Sequence, residues 1–263
     1  MFSTAQSRLA DYLRGFEIKT RVVVRFFLSR MEGVILGWIA LIALASLPRM
    51  LFPITPVRDL GDLAEIVLPY ACIAIAPIMG YRFAMHRFGR DLQCKDGTAA
   101  APITSSERYS GKSGANYGPY GFMASLLVGI LLNVPFRAFE FLLSVPAMNS
   151  NAPAWGTTLF HVMAFDVCLM SFLYTVCFVL ALRTIPLFPG MLAVVWGIDI
   201  TMQFVIANAV SASPHLPADV AAAVSDILQG NIKKVLISVA VWLPYLLLSR
   251  RVQVTYRRRS ALA

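Results

Sequence analysis

Residues 159–182 read LFHVMAFDVCLMSFLYTVCFVLAL, twenty-four consecutive positions with one carboxylate, Asp166. A helix rises about 1.5 Å per residue, so a run of this length crosses a hydrocarbon layer about 30 Å thick. Five further runs of similar character lie outward from it, at 33–52, 61–80, 121–145, 187–211 and 232–249. PITPVRDLG at 53–61 separates the first two, and Pro186 and Pro189 mark a turn between the fourth and fifth. Proline withholds an amide hydrogen and breaks helices at such points. Composition agrees: 58% of the chain is hydrophobic and 14% charged, where a soluble domain carries about 25% charge. The sequence predicts an all-α polytopic transmembrane helix bundle of about six spans.

The net charge of +9 is unevenly distributed. Arg8, Arg14, Lys19, Arg21, Arg25 and Arg30 precede the first span. Arg82, Arg87, Arg90, Lys95, Arg108 and Lys112 follow the second, and Arg183 follows the fourth. Arg250, Arg251, Arg257, Arg258 and Arg259 close the chain. The loops 146–158 and 212–231 contain neither Lys nor Arg, and only Arg49, Arg58, Lys233 and Lys234 fall on the opposite side. This bias predicts both termini in the cytoplasm, with anionic lipid as a partner at that face. Basic residues placed between apolar runs argue against nucleic acid as a partner. A membrane protein or a second copy is the other kind of partner expected.

Residues 1–32 read differently. Leu9, Tyr12, Leu13, Phe16, Val23 and Phe27 recur at helical spacing among basic residues, the pattern of an amphipathic helix lying on a membrane surface. ALAS at 43–46 resembles a signal cleavage site, but the apolar run continues past it, so an uncleaved first span is expected. The expected organisation is an interfacial helix at 1–32, a two-helix unit at 33–80 and a flexible Gly/Ser/Pro-rich cytoplasmic loop at 81–119. A four-helix membrane domain at 120–249 and a basic tail at 250–263 complete it.

Polar residues inside the spans are the candidates for function. An Asp or Arg at mid-span costs about 2.5–3.5 kcal/mol on insertion scales, and such groups face a bundle interior or a wet cavity. The third span holds Asn133, Arg137 and Glu140 on one helical face. The fourth holds His161 and Asp166, and the fifth Asp199 and Gln203. At the helical rise, Arg137 and Asp166 lie about 12 Å below the outer surface and Asp199 about 18 Å below it. One base and several acids therefore share the outer half, as a cluster open towards the periplasm. The expectation is that Arg137 pairs with one aspartate and leaves the other for a ligand or a proton. A structural ion pair that fixes helix register accounts for the same residues. The four cysteines, Cys72, Cys94, Cys168 and Cys177, form no CxxC pair, and no spacing suggests a metal or cofactor. GKS at 111–113 lacks the first glycine of a phosphate loop, since position 106 is Ser106. Gly33 and Gly37 form a GxxxG that suits either a packing face or chance.

The end of the chain, VWLPYLLLSRRVQVTYRRR at 241–259, carries a family likeness in Trp242, Pro244, Tyr245, Ser249, Arg250, Arg251 and Val252. It resembles the closing signature of a bacterial inner-membrane family known as domain of unknown function 2569. Pro135 and Arg137 match that family's Pro-x-Arg in its first span, and Asp199 matches an acidic residue in its third. Where the family opens on Gly-Gly-Trp, this chain has Tyr117-Gly118-Pro119-Tyr120-Gly121. The likeness covers about residues 117–259. It implies a four-span unit in the inner membrane and carries no assigned activity.

Three functions remain in play. The first is a non-enzymatic protein that binds a small polar ligand, lipid headgroup or partner through the outer cluster. The second is a small proton-coupled transporter using Asp199 and Arg137, although paired Gly/Pro-interrupted half-helices are lacking. The third is a membrane enzyme on lipid or envelope precursors, with Asp166, Asp199 and His161 as acid and base, although no catalytic motif of known spacing appears.

Overall fold

The computed structural model describes the backbone of residues 2–93 and 118–256. Its elements are seven α-helices: α1 Phe2–Leu51, α2 Leu60–Gln93, α3 Phe122–Ser144, α4 Ala154–Leu182, α5 Phe188–Ser211, α6 Ala218–Leu248 and α7 Arg250–Tyr256. Six, α1 to α6, are long and apolar enough to cross a membrane. The chain is a multi-pass helical membrane protein.

The most apolar span, α4, takes the centre, with α2, α3 and α5 packed around it. α1 lies against α2 and α3, and α6 leans on α5. Gly80 sets the approach of α2 to α4: a Cβ there would stand 2.6 Å from the Phe172 carbonyl oxygen, so only hydrogen fits. Gly33 and Gly37, by contrast, face open space. Their GxxxG carries no packing among the described residues.

Several boundaries differ from the expected ones, for one reason. Counting apolar residues finds the part of a helix inside the membrane, not the helix. α2 runs thirteen residues past the expected end at 80, into the expected loop. α4 starts at Ala154 rather than 159. α6 starts at Ala218 rather than 232, behind Pro217 and with Asp219 in its first turn. The stretch ADVAAAVSDILQGN is too polar to read as a span but rich in good helix formers. As a result Lys233 and Lys234 stand at mid-helix, not at a loop edge.

α1 is kinked at Arg30 (φ −122°, ψ 20°), two residues from the expected boundary between interfacial helix and first span. The arm before the kink lies against the bundle. Thr20 and Val24 are buried, and Phe27 meets Phe178 edge-on with centroids 5.4 Å apart. Val24 takes the inner face, while Ile18, Val22 and Phe26 face outward. The side chains of Leu9, Tyr12, Leu13 and Phe16 lie outside the described residues, as do Cys94, the GKS at 111–113 and Arg257 to Arg259.

Both ends of the bundle are knitted by hydrogen bonds. At one end the Gly121 amide donates to Thr20 Oγ1 at 2.9 Å and the Gly118 amide to Thr255 Oγ1 at 3.2 Å. Tyr256 donates to the Ala181 carbonyl at 2.8 Å, so the start of the expected tail is the docked helix α7. At the other end Asn149, fully buried, donates from its amide to Thr55 Oγ1 at 3.2 Å and from Nδ2 to the Pro56 carbonyl at 3.1 Å. The Ser150 amide donates to Glu65 at 2.6 Å and Asn151 to Asp62 at 2.9 Å. The linkers after α1 and α3 thus satisfy each other's backbone groups, as a buried loop must.

Candidate functional site

Arg137 sits two thirds of the way along α3, on its buried face. The guanidinium is a flat fork with donors on both prongs, and the two prongs take different helices. Nη1 donates to Asp166 Oδ2 on α4 at 2.6 Å, and Nη2 donates to Asp199 Oδ1 on α5 at 2.6 Å. Asp199 is fully buried, Asp166 4% exposed and Arg137 9% exposed. The expectation that Arg137 takes one aspartate and leaves the other free is corrected: it takes both. What remains without a partner is a single oxygen, Asp166 Oδ1.

The other Asp199 oxygen, Oδ2, accepts from the Tyr174 hydroxyl at 2.7 Å. Gln203, one turn beyond Asp199, turns its Nε2 back to Asp199 Oδ1 at 3.4 Å and accepts from Asn231 Nδ2 on α6 at 3.4 Å. Lys234 Nζ donates to Asn231 Oδ1 at 3.2 Å and to Glu140 Oε1 at 2.8 Å. Glu140 lies one turn from Arg137 on α3, so the chain of contacts closes into a ring over α3, α5 and α6. Asp166 and Tyr174 tie the ring to α4. Four helices share one polar network, whose buried core carries two carboxylates and one guanidinium.

Of the expected residues, Arg137, Glu140, Asp166, Asp199 and Gln203 belong to this network. Asn133 does not join it, and its Oδ1 has no partner. His161 also stands apart: it is exposed on α4, with Nδ1 donating to the Thr157 carbonyl at 2.8 Å. Tyr174, Asn231 and Lys234 were not expected.

Beside the ring, α5 and α6 leave space between them near the turn that joins them. The space is a groove of about 290 Å³ lined by these two helices and their connection. Phe204, Val210, Val224 and Leu228 make its walls apolar, Ser225 and Gln229 add polar atoms, and Gln203 stands where groove and ring meet. A volume near 300 Å³ is the lower limit for small-molecule sites. The groove therefore takes part of a larger molecule, or a small one whole.

Comparison of the chain with family models, with curated proteins and with solved structures finds no match.

Proposed function

We propose that this chain is a non-enzymatic bacterial inner-membrane protein that binds an amphiphile in the groove between α5 and α6, with the ring holding the groove in shape. The observation that carries the reading is Gln203. Its side chain lines the groove while bonding to Asp199 and Asn231. A polar group fixed at the edge of a mostly apolar groove is the arrangement that orients a ligand with a polar head and an apolar body. The groove has no third helix over it among the described residues. The likeness of residues 117–259 to domain of unknown function 2569 enters the proposal as kinship of the four-helix unit.

The test is a photoactivatable phospholipid carried in nanodiscs with the full chain. The wild type should be labelled on α5 or α6, and Gln203→Leu should lose most of that labelling while keeping its melting temperature within a few degrees. Equal labelling of both proteins overturns the reading.

In the proposed orientation the basic end is cytoplasmic, and the outward residues Ile18, Val22 and Phe26, flanked by Lys19 and Arg25, meet anionic lipid there. An alkaline phosphatase reporter fused after Asn151 should be active, and one fused after Gly97 silent; the reverse pattern inverts the assignment.

Proton-coupled transport is the second reading. One observation favours it: hydrogen-bonded groups run without a break from buried Asp166 to Lys234, whose side chain is 63% exposed. A pH-gradient-driven flux in proteoliposomes that Asp199→Asn abolishes would select it. The enzyme reading has least support, because His161 is exposed on α4 while both aspartates are buried around Arg137.

A further inference from the structure

The charges of the ring do not balance. Arg137 and Lys234 bring two positive charges, and Asp166, Asp199 and Glu140 bring three negative ones when all are ionised. Lys234 neutralises Glu140 at the exposed rim. One guanidinium is left between two carboxylates, with Arg137 9%, Asp166 6% and Asp199 0% exposed in their side chains. The surplus is one negative charge, in a place where an uncompensated charge is costly.

The hydrogen bonds separate the two carboxylates. Both oxygens of Asp199 accept: Oδ1 from Arg137 Nη2 at 2.6 Å and Gln203 Nε2 at 3.4 Å, Oδ2 from the Tyr174 hydroxyl at 2.7 Å. Asp166 accepts one bond, from Arg137 Nη1 at Oδ2, and its buried Oδ1 meets no donor. An ionised carboxylate has only acceptor oxygens, whereas a protonated one keeps one acceptor and carries a neutral hydroxyl. A buried group left unmet costs less when neutral than when charged.

The groups packed around Asp166 supply no second cation. α3 brings Arg137, already shared, and Glu140, already paired. α5 brings Asp199. α2 brings Tyr70 against Phe160 and Cys72 near Cys168 on α4. Tyr174 on α4 is engaged with Asp199, and His161 is exposed and bonded to the Thr157 carbonyl.

We propose that Asp166 Oδ1 is a proton-binding site, loaded at neutral pH, so that the folded bundle buries a neutral trio. The proton comes from water, an O–H bond forms at Oδ1, and no other bond changes. A proton is the cation that a single carboxylate oxygen binds unaided. The assignment depends on neither reading of the groove.

Infrared spectroscopy of the full chain tests it, in a detergent without ester groups at neutral pH. The wild type should show the carbonyl stretch of a protonated carboxyl group, shifted on exchange into heavy water. Asp166→Glu should move that band, and Asp199→Glu should leave it in place. Asp199→Asn should abolish it, because one carboxylate then faces one guanidinium and no proton is needed. A wild type without the band overturns the proposal, by showing both aspartates ionised. A band that moves with Asp199→Glu and not with Asp166→Glu overturns it by placing the proton on Asp199. A band that outlasts Asp199→Asn overturns the charge balance behind it. Loss of the wild-type band when sodium chloride replaces choline chloride also overturns it, by giving Oδ1 to a metal ion.

Discussion

The α2–α4 contact and the α5–α6 contact solve the same problem in opposite ways. Between helices in a bilayer there is little hydrophobic driving force, because lipid is as apolar as the side chains. α2 and α4 answer by proximity: Gly80 lets the backbones close until not even a methyl group fits beside the Phe172 carbonyl. α5 and α6 answer with polar atoms, through the Gln203–Asn231 bond and the ring it belongs to. The close pair leaves no room for a guest. The bonded pair leaves the groove beyond its last bond. Attachment by a few directed bonds tolerates a gap that attachment by close packing does not.

That contrast can be broken at the ring first. Arg137→Leu leaves two buried carboxylates with their shared cation gone, and losing one partner of a buried pair costs about 3–5 kcal/mol. This is the largest effect expected, read as a fall in detergent melting temperature. The triple variant Arg137→Leu, Asp166→Leu, Asp199→Leu should recover much of the loss, because no charge is stranded. In double-mutant cycles Arg137 should couple to both aspartates. Strict additivity with either one would remove that arm of the fork.

Gly80→Leu should come next. Overpacking of a filled site costs about 1–3 kcal/mol, and here the obstacle is backbone, which cannot rotate away. If Gly80→Leu melts like the wild type, the α2–α4 contact is looser than its geometry. Gln203→Leu should cost less, about 0.6 kcal/mol, the average for a polar contact between membrane helices. Its larger effect belongs to groove labelling. The smallest effect is expected at the rim of the ring, where Glu140→Gln loosens an ion pair with an exposed lysine. Such pairs contribute about 0–1 kcal/mol. A loss at Glu140 as large as that at Arg137 would show that the ring acts as a single unit.

The spans were legible because about twenty apolar residues in a row have few other uses. Their ends were not, since a helix outlasts the membrane it crosses wherever its sequence favours helix, as at 81–93 and 218–231. That error had a cost: with α6 begun at 232, Lys234 was read as an outer-face charge and Asn231 as loop. Arg137, Asp166 and Asp199 were legible from depth alone. His161 shows the limit of depth. It lies five residues before Asp166, about 140° around the helix at 3.6 residues per turn, so it shares the outer half but not the side. Tyr174 was missed because tyrosine passes as apolar inside an apolar run. Its spacing of eight from Asp166, about two turns, was the available signal.

The forked grip of Arg137 also bears on how the molecule is made. A chain is synthesised from its N-terminus at about 5–20 residues per second, and the two aspartates follow Arg137 by 29 and 62 residues. The arginine is therefore complete about 3–12 seconds before its second partner exists. Until Asp166 follows, about 1.5–6 seconds at the same rate, α3 holds an unpaired charge costing about 2.5–3.5 kcal/mol at the bilayer centre. The sequence order of one arginine and two aspartates thus means that the charge on α3 is gripped on both prongs only once α4 and α5 have both been made.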